Sequence, residues 1–171
     1  MKWYKIVGWV FAALVGFFFL FGMWYKYEYS MEPAQTHELN SSSLRQKLLI
    51  ATQGSEFKDS IVSGITNHYK SNAIFIKVID ISSLEDYEPA DFDAILLIHT
   101  WEYGKPPEAV QSFLDKNLSL TNKMVVVTTS GEGSEKTEGV DTIAGASIIR
   151  DVPLFVEKVI FKLDSLFEAG N

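Results

Sequence analysis

The sequence predicts an α/β domain with a parallel sheet, preceded by one membrane-spanning helix. Residues 6–25 carry no charged side chain, which is typical of a membrane span. Two later segments are unbroken apolar runs, as in the central strands of a parallel sheet. Strands and helices alternate from Lys47 onward. This alternation implies parallel pairing through right-handed crossovers, and therefore a three-layer domain with helices on both faces of the sheet.

Composition limits the classes of function. A chain of 171 residues has room for one core domain and an appendage. The net charge of −7 argues against a nucleic-acid partner, because binding of that kind needs cations to neutralise phosphates. The absence of cysteine excludes disulfides, thiolate metal sites and cysteine nucleophiles. His37, His68 and His99 are scattered, without paired spacing or an acidic ligand cluster, so no metal site is predicted.

Residues 1–25 are predicted to form a membrane anchor with its span at residues 6–25. At about 1.5 Å per residue, this run has a length of about 30 Å, the thickness of the hydrocarbon core of a bilayer. Tryptophan and tyrosine flank the run on both sides, as they do at membrane interfaces. A cleaved signal peptide is the alternative, although it usually has a shorter apolar region and a small-residue cleavage site.

The flanking charges predict the orientation of the span. Lys2 and Lys5 precede it, whereas Lys26 is the only Lys or Arg between the span and Arg45. The positive-inside rule therefore places the N-terminus in the cytoplasm and the main domain outside it, at the cell membrane. Residues 26–43 are polar and end in three serines, so we expect a tether. Residues 44–171 then form the main domain.

The main domain opens with a strand, a polar loop and a helix. Leu48–Ala51 is a short apolar run, and Thr52–Glu56 is small and polar. From Phe57 the apolar residues recur every four positions, which predicts a helix. A strand that enters a helix through a hydroxyl-bearing loop points the first N–H groups of that helix at one place. Such a place suits an anion, typically a phosphate.

The remaining elements continue the alternation. Lys77 lies within a predicted strand and indicates an edge position for it. The predicted strands are Ala73–Asp80, Ala94–Ile98, Met124–Val127 and a short last strand within residues 140–147. The predicted helices begin at Pro106 and Val152. Polar loops are predicted at His99–Lys105 and Thr128–Gly139.

Three of these loops resemble those of the flavodoxin-like family, over Lys47 to about Phe167. The first loop, Thr52-Gln53-Gly54-Ser55, is similar to the loop that binds the phosphate in this family. The second, Thr100–Gly104, is similar to the loop that places an aromatic ring against the flavin. The third, Thr128–Gly131, is similar to the loop that contacts the pyrimidine edge of the flavin. The resemblance implies strand order 2-1-3-4-5 and FMN bound at the carboxyl ends of the strands. The helix that the family has between its last two strands is missing or very short in this sequence, so we expect reduced last helices. Glu56 and Phe57 depart from the family pattern, and a carboxylate beside a phosphate is unfavourable.

The resemblance also implies roles for individual residues. No catalytic residue is predicted, because a flavin supplies the redox chemistry itself. Trp101 and Tyr103 would flank the ring, with ordinary anchoring of the loop to the sheet as the alternative. The predicted cofactor-binding residues are Thr52, Gln53, Gly54, Ser55 and Lys58 at the phosphate, Thr100, Trp101, Tyr103 and Gly104 at the ring, and Thr129, Ser130 and Gly131 at its polar edge.

A second resemblance concerns Asp141–Ser147. This segment is similar to the acceptor motif of membrane proteins that carry FMN covalently through a phosphoester, which would make Ser147 the acceptor. The alternative is a small-residue turn, in which Gly145 lets the chain pass close to the sheet.

Two functional hypotheses follow. The first is a single-pass membrane protein whose outer domain holds FMN and passes electrons to an unidentified redox partner. The second is a flavodoxin-like binding module at the membrane that has lost its flavin, and Glu56 in the first loop favours it. Whether the protein turns over a substrate of its own stays open.

Overall fold

The computed structural model describes residues 2–29 and 31–169, which fall into two compact units divided between Met31 and Glu32. The first unit is one helix, α1 (Trp3–Tyr29). Its segment Trp3–Tyr25 is long and apolar enough to cross a membrane, by length and composition, and its side chains are exposed. An N-terminal signal sequence meets the same criteria.

The second unit is built on a seven-stranded sheet. Five parallel strands lie in the order β4-β3-β5-β6-β7, which is the predicted order 2-1-3-4-5 when they are counted along the chain. In register, Thr52 lies opposite Ile98, and His99 lies opposite Thr128. Thr129 at the end of β6 likewise lies opposite Gly145 at the end of β7. The ends of β3, β5, β6 and β7 therefore meet along one side of the sheet, which we call the carboxyl edge. The strands are β1 (Glu32–Pro33), β2 (His37–Leu39), β3 (Gln46–Gly54), β4 (Ile74–Asp80), β5 (Ala94–Thr100), β6 (Met124–Thr129) and β7 (Asp141–Gly145).

Helices cover both faces of the sheet, as predicted. On one face, α2 (Glu56–Tyr69) and α4 (Val152–Ala169) pack on alternate strand residues such as Leu48 and Ile50. On the other, α3 (Glu108–Lys116) and a short 3₁₀ helix pack on the intervening residues, which include Leu97. Residues 130–140 connect β6 to β7 as an irregular loop, in agreement with the predicted reduction of the last helices.

Part of the segment predicted as a tether belongs to the sheet. β2 pairs antiparallel with β4, and the Lys77 ammonium lies 2.7 Å from a Glu38 carboxylate oxygen. The predicted edge position of β4 is therefore wrong for the sheet as a whole, although β4 is the outermost of the parallel strands. The compact unit begins at Glu32, ahead of the predicted boundary at residue 44. Pairing of this kind uses main-chain groups, so a polar segment can supply it without any apolar periodicity.

Candidate functional site

The predicted loops after β3, β5 and β6 meet at the carboxyl edge through hydrogen bonds. The Thr100 amide donates to Gln53 Oε1 (2.8 Å), and Gln53 Nε2 donates to Glu102 Oε1 (3.1 Å). The hydroxyls of Thr100 and Thr129 are 2.8 Å apart, and the Trp101 amide donates to the Thr129 carbonyl (2.8 Å). The structure thus brings predicted residues from all three loops together. Their role in binding a cofactor stays a prediction.

The first loop differs from its prediction. β3 continues to Gly54, so Thr52 and Gln53 lie in a strand, and Ser55 alone separates that strand from α2. Ser55 is the N-cap residue: its hydroxyl accepts the Lys58 amide at 3.3 Å. The prediction of a loop at Thr52–Glu56 is therefore wrong. β3 is longer because β1 provides a pairing partner for Gln53 and Gly54 beyond the end of β4.

The space beside Gly54 is occupied by residues 32–34, which we call the strap. Glu32 lies opposite Gly54 and Pro33 opposite Gln53 in antiparallel pairing. A Cβ atom added to Gly54 would lie 2.5 Å from the Glu32 carbonyl oxygen and 3.2 Å from that of Pro33. The Ala34 amide donates to Asp80 Oδ2 (2.7 Å), which holds the end of the strap. A phosphate cannot share this volume, and carbonyl oxygens repel it, so the residues present do not fit the phosphate end of FMN in its expected place.

Lys58, the predicted counter-charge, is inside the domain. It is fully buried, and its ammonium group lies 3.4 Å from the Ser55 hydroxyl. Burial lowers the pKa of Lys58 to about 8, while the charges of Asp59 and Glu102 act to raise it. Lys58 is therefore engaged with its own domain and does not present a charge at an open surface.

The aromatic loop is a tight turn with one half-buried and one exposed ring. Glu102 and Lys105 exchange main-chain hydrogen bonds of 2.9 and 3.2 Å across the turn. Tyr103 (φ 52°) and Gly104 (φ 75°) between them both have positive φ, which matches the tight turns that join antiparallel strands. Tyr103 is 94% exposed, whereas the indole N–H of Trp101 is buried. Trp101 thus anchors the loop, and Tyr103 is presented to solvent.

The third loop is tied to the end of β7. The Ser130 amide donates to the Gly145 carbonyl (3.2 Å), and the Ser130 hydroxyl accepts the Gly133 amide (2.9 Å). Gly131 is exposed, and within the described chain a Cβ on it would have open space around it. This loop keeps its polar groups near the carboxyl edge, as the prediction requires.

No role was predicted from the sequence for Glu32, Glu102 or His99, although His99 was placed at the end of a strand near the predicted site. Glu102 accepts a hydrogen bond from Gln53, and its position in the aromatic loop could have indicated this contact. Glu32 follows α1 in a polar segment that carries no signal of pairing. His99 is fully buried, and burial lowers its pKa to about 4, assisted by the positive charge of Lys58 and opposed by a main-chain contact with Thr100. Its imidazole is neutral at pH 7.

The Asp141–Ser147 motif has a structural explanation at two of its positions. Asp141 Oδ1 accepts a hydrogen bond from Lys162 Nζ (2.7 Å). A Cβ added to Gly145 would lie 2.4 Å from the ring of Phe155, so glycine allows that ring to pack on β7. Ser147 follows β7 and is exposed. Its role as a covalent flavin acceptor stays a prediction.

Comparison with solved structures supports the architecture. The Flv1 flavodiiron core from Synechocystis sp. PCC6803 matches with a TM-score of 0.54 and 14% identity, over 75% of this chain and 37% of that one. The domain has a flavodoxin-like fold. A flavodoxin from the domain Archaea is also similar, with a TM-score of 0.49 and 14% identity over 71% of this chain and 99% of that one. Flavodoxin 2 from Bacillus cereus matches with a TM-score of 0.46 and 18% identity, over 70% of this chain and 99% of that one. No protein-family profile and no curated protein matches the sequence.

Proposed function

We propose that this is a membrane-anchored flavodoxin-like binding module, whose carboxyl edge receives a partner protein and does not hold FMN in the usual pose. The position of the strap carries this proposal. Glu32 and Pro33 pair with Gly54 and Gln53 in the place where the phosphate end of the cofactor would lie. This pairing supports the proposal that the chain itself closes a family-type cofactor site.

The closure has an energetic consequence for FMN. Opening the strap breaks the pairing of two residues and the hydrogen bond from Ala34 to the Asp80 carboxylate. Main-chain hydrogen bonds contribute about 1 kcal/mol each and bonds to charged groups about 2 kcal/mol, so opening costs about 3 kcal/mol. A ligand that needs the open state then binds about a hundredfold more weakly.

The surface beside the closed site suits a protein partner. Tyr103 is exposed at the tip of a turn that is braced by Gln53, Glu102 and Lys105. Exposed aromatic side chains on a rigid support are enriched among the residues that dominate binding energy in protein interfaces. α1 would hold this module at the membrane, and only residues 30 and 31 separate α1 from the strap.

FMN-dependent electron transfer is the second candidate. The meeting of three loops in a flavodoxin-like fold favours it. If the strap opened, the flavin would supply electron transfer, Trp101 and Tyr103 would adjoin the ring, and Ser130 and Gly131 would lie at its polar edge. In the covalent version Ser147, which is exposed, would carry the flavin.

Flavin content separates the two candidates. The full chain is purified in detergent, and its visible absorption and flavin fluorescence are measured before and after titration with FMN. We expect a colourless protein with no saturable uptake at micromolar FMN. A yellow protein with one flavin per chain would overturn the binding-module proposal, and colour that survives denaturation but disappears in Ser147→Ala would establish the covalent version.

The strap itself is tested by Gly54→Ala, with Gly131→Ala as the matched control. The added methyl group at Gly54 clashes with the Glu32 carbonyl and displaces the strap, whereas the same change at Gly131 meets open space. We expect neither variant to bind FMN, because after displacement of the strap the Glu56 carboxylate would still lie beside the phosphate and Lys58 would still be buried. If Gly54→Ala alone gains FMN binding, the strap is a cover over a working flavin site, and the second candidate is correct.

A further inference from the structure

Among the residues that the structure describes, five buried polar side-chain atoms have no hydrogen bond of good geometry, although His99 has a weaker main-chain interaction with Thr100. They are His99 Nδ1 and Nε2, Trp101 Nε1, Thr128 Oγ1 and Thr137 Oγ1. A buried polar group without a partner destabilises the folded state, and folded proteins contain few of them. These five atoms therefore need a physical explanation.

Two of these side chains are direct neighbours on the sheet. His99 lies opposite Thr128 in the pairing of β5 with β6. Side chains alternate along a strand, and Leu97 and Val126, two positions earlier on each strand, belong to the core on the α3 face. His99 and Thr128 therefore lie side by side on the α3 face, and both are completely buried.

The connecting loops bring the other two side chains to the same face. Trp101 follows His99 by two positions, and its amide extends the β5–β6 pairing by donating to Thr129. Thr142 lies opposite Val126, so it shares the α3 face, and its hydroxyl donates to the Thr137 carbonyl (3.0 Å). The loop of residues 130–140 thus returns to this face below the carboxyl edge.

We propose that His99, Trp101, Thr128 and Thr137 enclose a buried site for ordered water on the α3 face, which we call the His99 site. The chemistry of the four side chains suits water. A neutral imidazole donates one hydrogen bond and accepts one, a threonine hydroxyl does both, and an indole donates. One buried water typically makes about three hydrogen bonds, so very few molecules satisfy all five atoms.

A cation does not suit the same place. Lys58 is near enough for its positive charge to lower the pKa of His99, so a second positive charge would be repelled. The four enclosing side chains also include no carboxylate that could neutralise an ion. Water satisfies the donors and acceptors without introducing a charge.

The His99 site gives the two loops a common support. Bridging water would connect the Trp101 indole and Thr137 to the sheet, and so hold the aromatic loop and residues 130–140 in position. This support goes beyond the proposed function, because it operates whether the carboxyl edge receives a protein or a flavin.

A pair of threonine variants tests the site. Thr128→Val keeps the shape of the side chain and removes its hydroxyl. If that hydroxyl binds water, the variant loses a hydrogen bond and leaves the water with an unused group, so the Tm of the full chain falls by several degrees, at about 2–4 °C per kcal/mol. If the hydroxyl is without a partner, removing it raises the Tm, which would overturn the proposal. Thr129→Val is the control, since its hydroxyl bonds Thr100 and its loss lowers the Tm in either case.

A crystal structure of the full chain gives the second test. We expect electron density for at least one water within hydrogen-bond distance of both a His99 ring nitrogen and Thr128 Oγ1. That density should vanish or move in Thr128→Val. A direct hydrogen bond between His99 and another side chain, or a site without density, would overturn the proposal regardless of the Tm values.

Discussion

The two ends of the carboxyl edge are both closed at a glycine, but by different kinds of contact. At Gly145 the ring of Phe155, a core residue of α4, occupies the space that a Cβ would need. At Gly54 the same space is taken by the main chain of Glu32, in a strand of two residues. The first contact is part of the hydrophobic core, whereas the second is held by the pairing of two residues and one hydrogen bond to Asp80. The comparison teaches that one end is fixed by core packing and that the other can open at a lower cost.

The largest expected effect is at the fixed end. Gly145→Ala forces the Phe155 ring away from β7, and overpacking of a core typically costs about 1–3 kcal/mol. We expect about 2–3 kcal/mol, measured by urea unfolding of the domain within the full chain. Gly131→Ala is the control and should change stability by less than about 0.5 kcal/mol. An unchanged stability in Gly145→Ala would mean that the ring can move freely and that the two ends do not differ.

Between the two ends, the buried His99 makes the unfolding free energy depend on pH. Burial lowers its pKa to about 4, so the unfolded chain takes up a proton near pH 6.5 while the folded domain does not. The neutral imidazole therefore contributes to the stability of the folded domain above about pH 6.5, and this stability is lost as the pH falls towards 4. We expect the wild type to lose about 1–2 kcal/mol more than His99→Leu between pH 7 and pH 5. A wild-type curve parallel to that of His99→Leu would show that His99 titrates as an ordinary histidine and is not buried.

The end at Gly54 should respond differently to a glycine-to-alanine substitution. Gly54→Ala breaks the pairing of Glu32 and Pro33 with β3 but leaves the hydrogen bond from Ala34 to Asp80, so we expect it to lower the unfolding free energy by about 1 kcal/mol. The stronger signal should be local: limited proteolysis within residues 31–39 should become faster, while cleavage elsewhere stays unchanged. If residues 31–39 were cleaved at equal rates in Gly54→Ala and Gly131→Ala, the pairing of the strap with β3 would be contradicted.

The smallest expected effect is at the exposed turn between the ends. Tyr103 has a φ of 52°, which glycine adopts more easily than tyrosine. Tyr103→Gly should therefore leave the stability unchanged or raise it by about 0.5 kcal/mol, since the exposed ring contributes little packing. A partner recovered by cross-linking to the wild type should be lost in this variant. A clear fall in stability would instead show that the ring packs on the domain.

The two ends also differ in how far the sequence predicts them. The apolar runs at Ala94–Ile98 and Met124–Val127 predict central strands correctly, because unbroken apolar segments of that length are buried in a parallel sheet. Their order also follows from family resemblance and is confirmed. The small residues of the Gly145 segment give a correct hint of close packing.

The strap could not be predicted in the same way. Residues 32–39 pair through main-chain groups and bury little apolar surface, so they leave no periodic pattern in the sequence. The length of β3 depends on that pairing, which is why Thr52–Gly54 was predicted as a loop. Convergence of the loops follows from strand order alone, whereas the filling of the site depends on a distant segment that only the structure reveals.

Hydrogen exchange at the Ala34 amide tests the central claim most directly. This amide donates to Asp80 only while the strap is closed. The full chain in detergent is compared with and without excess FMN, using residue-resolved exchange. The account predicts slow exchange at Ala34 in both samples. Fast exchange without FMN, or exchange that accelerates when FMN is added, would show that the carboxyl edge is open to the cofactor and would contradict the account.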